Sequence, residues 1–257
     1  MRAIKELGQN FLINPSIAAA IAGFANLTPG DRVWEIGPGM GILTGELIER
    51  GAKLTAFELD RRMEEPLIEK YGERFELVMQ DILKLDWQEQ INQEPARIKL
   101  VANIPYQITS PLLNLIERHH QSFETIVLMV QREVAHRLAG SPNNKDYGLM
   151  TIKLQLIFDI KLLLDVGREE FDPVPRVDSA VISLAQRKDP PLIKNPLKFR
   201  QIATVAFAHR RKTMRNNLLA LIPRERVAIL EQSSGIDLSR RGETLSEAEF
   251  IILSDHI

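Results

Sequence analysis

Arg32-Val33-Trp34-Glu35-Ile36-Gly37-Pro38-Gly39-Met40-Gly41, running on through Ile42 to Arg50, reads as a short apolar strand, a glycine loop and a helix. That succession opens an α/β unit whose ligand sits at the carboxyl end of the strand. The glycines are spaced G-x-G-x-G, not in the dinucleotide pattern G-x-G-x-x-G, and Pro38 removes one of the loop's amide donors. A pyrophosphate cradle uses every backbone N–H it can offer. The loop therefore suits a bulky ligand without phosphate. Glu35 points the same way, because a carboxylate there repels phosphate and favours a cationic sulfonium or ammonium.

Working outward, three more strand ends carry polar groups in a telling order. Lys53 to Phe57 is a strand ending at Glu58-Leu59-Asp60, where an acid accepts from both hydroxyls of a ribose, and alternation turns Glu58 toward the cleft. A helix from Arg62 to Tyr71 leads to the strand Phe75 to Met79 and then Gln80-Asp81, with Asp81 placed to accept from an adenine amino group. The apolar run Ile98 to Ala102 ends in Asn103-Ile104-Pro105-Tyr106, ahead of a helix-like run from Ser110 to Ile116. Asn-x-Pro-Tyr presents an amide, a carbonyl held by proline and an aromatic face, which together suit a planar substrate bearing NH2. The lone pair of such an amine is delocalised into the ring. Two acceptors on its protons, the Asn103 oxygen and a carbonyl at Ile104 or Pro105, favour the more tetrahedral nitrogen of the transition state, while Tyr106 fixes the ring plane.

Further strands are expected at Glu124 to Val130, Ile160 to Val166 and Ala180 to Ala185, the last antiparallel, with helices from Pro15 to Leu27, Gln131 to Leu138 and Leu149 to Phe158. The result is a Rossmann-like sheet of about seven strands. The opening Met1 to Phe11 is polar and mildly basic, and within it Gly8-Gln9-Asn10-Phe11-Leu12 reads either as a flap over a ligand or as a terminus pinned by Phe11. Ser141 to Asp146 is a loop of turn formers. In Phe171-Asp172-Pro173-Val174-Pro175-Arg176-Val177-Asp178-Ser179 two prolines stiffen an extended chain. Phe171 on that rigid loop reads either as a core plug or as a partner of Tyr106 in sandwiching a base.

Composition changes after Arg187. Asp189-Pro190-Pro191 and Asn195-Pro196 read as a linker, followed by helical periodicity from Leu197 to Ile222, Arg224 to Glu231 and Ser246 to Leu253. The domains expected are 1–188, the α/β part, and 189–257, a small all-helical part. The formal net charge of −1 hides an asymmetry: from Arg187 to Arg226 eleven Lys/Arg face only Asp189 and Glu225, leaving roughly −10 for the remainder. Arg210, Arg211, Lys212 and Arg215 cluster most tightly, as a polyanion contact or as a solvated face.

With no cysteine among 257 residues, disulfides, thiolate metal sites and a cysteine nucleophile are excluded. The five histidines lack H-x3-H or HExxH spacing, so no metal site is expected. The opening residues lack an apolar signal core and no run reaches the ~20 apolar residues of a membrane span, so a cytoplasmic protein is expected.

Taken in order, GQNFL, EIGPGMGILT, FELD, QD, NIPY, QREVAHRL, FDPVPRVDSAV and FAHRRKTMRNNL cover nearly the full length. This series resembles the class I S-adenosylmethionine-dependent methyltransferases, and within them the KsgA (RsmA) family of ribosomal RNA small-subunit adenine dimethyltransferases. The resemblance implies N6,N6-dimethylation of two adjacent adenosines near the 3′ end of small-subunit (16S) ribosomal RNA, within a 30S assembly intermediate, by a monomer using S-adenosyl-L-methionine. It implies cofactor contacts from Asn10, Leu12, Gly37, Gly39, Gly41, Glu58, Asp81 and Asn103. It places Asn103, Pro105, Tyr106 and Phe171 at the reacting base, and RNA contacts at Arg210, Arg211, Lys212 and Arg215. The family commonly has Asn where Gln107 stands and Leu where Ile104 stands. The alternatives are an erythromycin-resistance-type large-subunit methyltransferase, a protein or DNA amine methyltransferase, a nicotinamide oxidoreductase, and a mainly non-catalytic RNA-binding or assembly factor.

Overall fold

The computed structural model of the chain describes Ile4, residues 7–144 and residues 146–257. Part of the polar opening (Met1 to Ala3, Lys5, Glu6) and Lys145 of the turn-former loop lie outside the described residues. The strands are β1 (Phe11–Leu12), β2 (Arg32–Ile36), β3 (Lys53–Glu58), β4 (Glu76–Met79), β5 (Ile98–Asn103), β6 (Phe123–Gln131), β7 (Phe158–Val166), β8 (Phe171–Asp172) and β9 (Ser179–Gln186). The helices are α1 (Pro15–Phe24), α2 (Ile42–Glu49), α3 (Glu64–Tyr71), α4 (Trp87–Asn92), α5 (Thr109–Arg118), α6 (Arg132–Leu138), α7 (Leu149–Gln155), α8 (Pro196–Ala208), α9 (Met214–Leu218), α10 (Arg224–Ser234) and α11 (Glu247–His256).

Seven strands form one sheet in the order β4-β3-β2-β5-β6-β9-β7. Neighbours are parallel from β4 through β6, while β9 runs antiparallel between β6 and β7, as expected of the last strand. A parallel sheet of this kind needs both faces covered. On one face Val33, Leu54, Val101, Val127 and Val181 pack with Ala18, Ile21, Leu43 and Leu47 of α1 and α2. On another side Trp34 meets Phe57, Trp87 and Phe123 edge to face, with ring centroids 5.0, 5.7 and 6.0 Å apart. The Trp34 indole N–H donates to Glu94 at 2.9 Å, so its polar tip is satisfied in the core.

Helix starts follow local chemistry. Asn14 caps α1 by accepting from the Ser16 N–H, with Pro15 in the first turn where a missing N–H costs nothing. Two elements escaped the sequence reading: α4, capped by Asp86, and the two-stranded pair β1·β8. That pair joins residues some 160 positions apart, Phe11 opposite Asp172 and Leu12 opposite Phe171, and two-residue strands carry no periodicity to detect.

The chain divides into two compact units, Met1–Ala135 with Phe158–Gln186, and His136–Ile157 with Arg187–Ile257. The second unit thus takes in α7, which lies ahead of residue 189 in the chain, because Tyr147, Ile152 and Leu156 pack with Phe199, Ile202, Leu218, Phe250 and Leu253. The helix expected from Leu197 to Ile222 is two helices. Alpha-8 ends at Ala208, and Thr213 restarts the chain as the N-cap of α9. Asn217, only 3% exposed, donates its amide to the Ala206 and His209 carbonyls at 3.1 and 3.4 Å, closing the intervening basic turn.

Candidate active site

The carboxyl ends of β2, β3, β4 and β5 open on one cavity, roofed by residues 7–12 and bounded by Phe171. Glu58, Asp81 and Asn103 therefore share a single hollow, together with Asn10, Leu12, Gly37, Gly39, Pro105, Tyr106 and Phe171. Gly41 does not line it. Its φ is +77°, and an added Cβ would lie 2.7 Å from Tyr71 Cε2 and 2.9 Å from Leu67 Cδ2, so this glycine serves the packing of α3 under the loop. Gly39, φ +54°, leaves room for the Phe11 ring, 3.0 Å from where its Cβ would stand. The loop and the roof touch because that position lacks a side chain.

Glu58 is turned into the protein by three backbone donors: Leu59 and Asp60 N–H on Oε1 at 2.8 Å, and Gly39 N–H on Oε2 at 3.1 Å. Burial pushes its carboxyl above the usual range and these three bonds pull it back. Glu35, which shares with Val33 the α2 side of β2, is fully buried and accepts from the Thr44 hydroxyl at 2.8 Å. Burial first, then repulsion from Glu58, raise it to about 8. Asp60 does not line the cavity. It holds the roof by accepting from Gln9 at 2.7 Å and from Arg62, and the Arg62 guanidinium takes its carboxyl down to about 2. Asp81 spends one oxygen on the Leu83 N–H at 3.0 Å, with Lys84 3.8 Å from the other.

At the end of β5 the Asn103 side chain makes no hydrogen bond among the described residues. The Pro105 carbonyl accepts from Ile108 N–H at 3.1 Å, closing a 3-10 turn at Tyr106–Ile108, whereas no turn or loop bond ends on the Ile104 carbonyl. Of the two carbonyls considered from sequence, Ile104 is the freer acceptor. The Tyr106 hydroxyl meets Ser179 Oγ at 2.7 Å, and burial raises the phenol above its usual range. Phe171, 2% exposed, belongs both to the cavity wall and to the core beside Leu12, and no ring contact joins it to Tyr106. Gln9 and Phe11 also line the cavity, the latter read from sequence only as a pin for the terminus, as do Gln80 and Ile82, to which no role was given. Only the amide-rich GQNFL run hinted at the first two.

In the second unit Arg210, Arg211 and Lys212 lie on the turn between α8 and α9, and Arg215 lies in the first turn of α9. Arg210 pairs with Glu243 at 2.9 Å and Arg215 with Glu231 at 2.5 Å, while Arg211 and Lys212 stand exposed. No group of three or more His, Cys, Asp or Glu among the described residues is arranged to hold a metal ion, and no described helix is long and apolar enough to cross a membrane.

A mixed seven-strand sheet with its polar groups at these strand ends is the class I methyltransferase fold, carrying a C-terminal helical region. The chain belongs to the ribosomal RNA adenine dimethylase family, whose model matches residues 1–257, and it is an rRNA adenine dimethyltransferase. It is 40% identical to the ribosomal RNA small subunit methyltransferase A of Lactobacillus acidophilus, over all of this chain and 92% of that protein. Among solved structures, a dimethyladenosine transferase from Plasmodium falciparum superposes with a TM-score of 0.79 at 25% identity, covering 95% of both chains. The 23S rRNA methyltransferase ErmE superposes with a TM-score of 0.73 at 28% identity, covering 96% of this chain and 99% of its own. Membership of the family implies S-adenosylmethionine as the methyl donor.

Proposed function

We propose that the protein dimethylates N6 of two adjacent adenosines near the 3′ end of small-subunit ribosomal RNA, acting on a 30S assembly intermediate. The observation that carries this reading is the unpartnered Asn103 amide in the same cavity as Glu58 and Asp81. The 40% identity to a small-subunit methyltransferase along the whole chain favours the small-subunit substrate over the large-subunit one.

The donor set fits S-adenosylmethionine: a carboxylate for ribose hydroxyls at Glu58, an acceptor for an adenine amine at Asp81, and a glycine loop without a phosphate cradle. Asn10, Leu12, Gly37 and Gly39 complete that wall, whereas Gly41 supports it from behind. When bound, the cofactor supplies a methyl group on a positively charged sulfur. The chain's own part is orientation. Asn103 Oδ1 and the Ile104 carbonyl accept the two N6 protons of the adenine, which draws the nitrogen toward tetrahedral geometry. Tyr106, tethered through Ser179, holds the plane of the base, and Phe171 closes the pocket behind it. Among the described cavity residues none is placed as a strong base, so the proton leaves once the nitrogen is cationic, to the Asn103 oxygen, the carbonyl or water. Arg211 and Lys212 contact phosphates, with Arg210 and Arg215 joining them by exchanging their glutamate partners.

Transfer of radiolabelled methyl groups to small subunits lacking the modification tests the reading. Asn103→Ala should lower the rate roughly 10²-fold or more without loss of stability, since the amide bonds nothing in the protein. An undiminished rate in that variant would overturn the assignment.

A further inference from the structure

The stiff segment between Phe171 and Ser179 is bracketed by two cavity residues. Phe171 lines the cavity directly, and Ser179 holds Tyr106, which lines it from the opposite element. Between these anchors the segment is fixed at several points. Pro175 is buried, Asp178 takes the Arg132 N–H on its carbonyl at 3.0 Å and the Arg132 guanidinium on its carboxylate at 3.1 Å, and β8 is paired to β1. Against this rigidity Val174 and Val177 are 61% and 44% exposed, with exposed Arg176 between them. Two prolines and a buried anchor hold valines out in water, where they gain nothing for the fold.

An enzyme that acts on N6 of a base must take that base out of its stack, and the neighbours then lose a stacking face. An apolar side chain on a rigid loop beside the pocket compensates by packing into the vacated step, and a cation beside it answers the flanking phosphate. We infer that Val174 and Val177, with Arg176, form an apolar wedge that packs against the unstacked purines flanking the target adenosine. The inference rests on the function proposed above and adds to it the element that pays the cost of extrusion.

The test uses full-length protein and a small-subunit rRNA fragment carrying 2-aminopurine beside the target adenosine, with intact under-methylated subunits as the methylation substrate. The wild-type protein should raise the 2-aminopurine fluorescence on binding. Val174→Ser combined with Val177→Ser should abolish most of that rise and lower kcat/KM on the subunit roughly tenfold. The same variant should keep wild-type S-adenosylhomocysteine affinity, and Val174→Leu should retain the fluorescence change. A double-serine variant with the full fluorescence rise and the wild-type rate would overturn the wedge alone. Wild-type protein that transfers no methyl at all would overturn the proposed function and the wedge with it, so the two failures are distinct.

Discussion

Replacing Glu35 by Gln isolates one buried ionisation and turns it into a measurable slope. Glu35 is 1% exposed, its carboxyl lies near 8 against an ordinary 4.5, and its partner is the Thr44 hydroxyl, which a glutamine oxygen accepts equally well. Between those two values the folded protein holds a proton that the unfolded chain has released, so stability falls as pH rises through this window. The limiting slope is about 1.4 kcal/mol per pH unit. Integrated from pH 6.5 to 8, allowing for partial ionisation at the upper end, the wild type should lose roughly 1.5 kcal/mol that Glu35→Gln does not lose. The other shifted groups are common to both proteins. His119 and His120, lowered chiefly by burial, change stability in the opposite sense and mainly below pH 6.5, and Asp60, at about 2, contributes a loss only in acid. Glu58 is raised in the same direction as Glu35 but is present in both proteins, so it largely cancels in the difference. Thermal unfolding followed by circular dichroism should show the variant gaining roughly 3–6 °C on the wild type between pH 6.5 and 8. Parallel melting curves across that range would refute the argument, because they would mean that Glu35 is already ionised in the folded protein.

Gly41→Ala combines left-handed strain with a Cβ within 3 Å of Tyr71 and Leu67, and should cost roughly 2–4 kcal/mol in urea unfolding. If it melts like the wild type, the loop moves more freely than these contacts allow. Arg211→Glu with Lys212→Glu should weaken binding to small subunits and reduce the magnitude of the log K against log salt slope by roughly 1.4–1.8, two phosphate contacts' worth. An unchanged slope would place that turn in solvent.

Much of the site was legible because its chemistry lies at strand ends, and strand ends are marked by a local change of pattern. Glu58, Asp81 and Asn103 each follow an apolar run, and a parallel sheet brings such ends together whatever the details of packing. Gly41 shows where that logic stops. It belongs to the same G-x-G-x-G run as Gly37 and Gly39, yet its reason is the ring of Tyr71, a neighbour made only by the placement of α3. Phe171 is similar: an aromatic before a proline-rich loop reads equally as base platform or core plug, and the structure gives it both a cavity face and a buried body.

The sequence by itself determined the α/β order, the glycine loop and the polar group at the end of each of four strands, since periodicity and turn chemistry are local properties of the chain. Only the tertiary structure decided that β1 is bound to β8 across some 160 residues, that α7 joins the helical unit, that Tyr106 leans on Ser179, and which acceptor after Asn103 remains open. Those are pairings between distant segments, chosen by which buried polar groups and apolar faces find partners when the chain closes, and no short window of residues contains that choice.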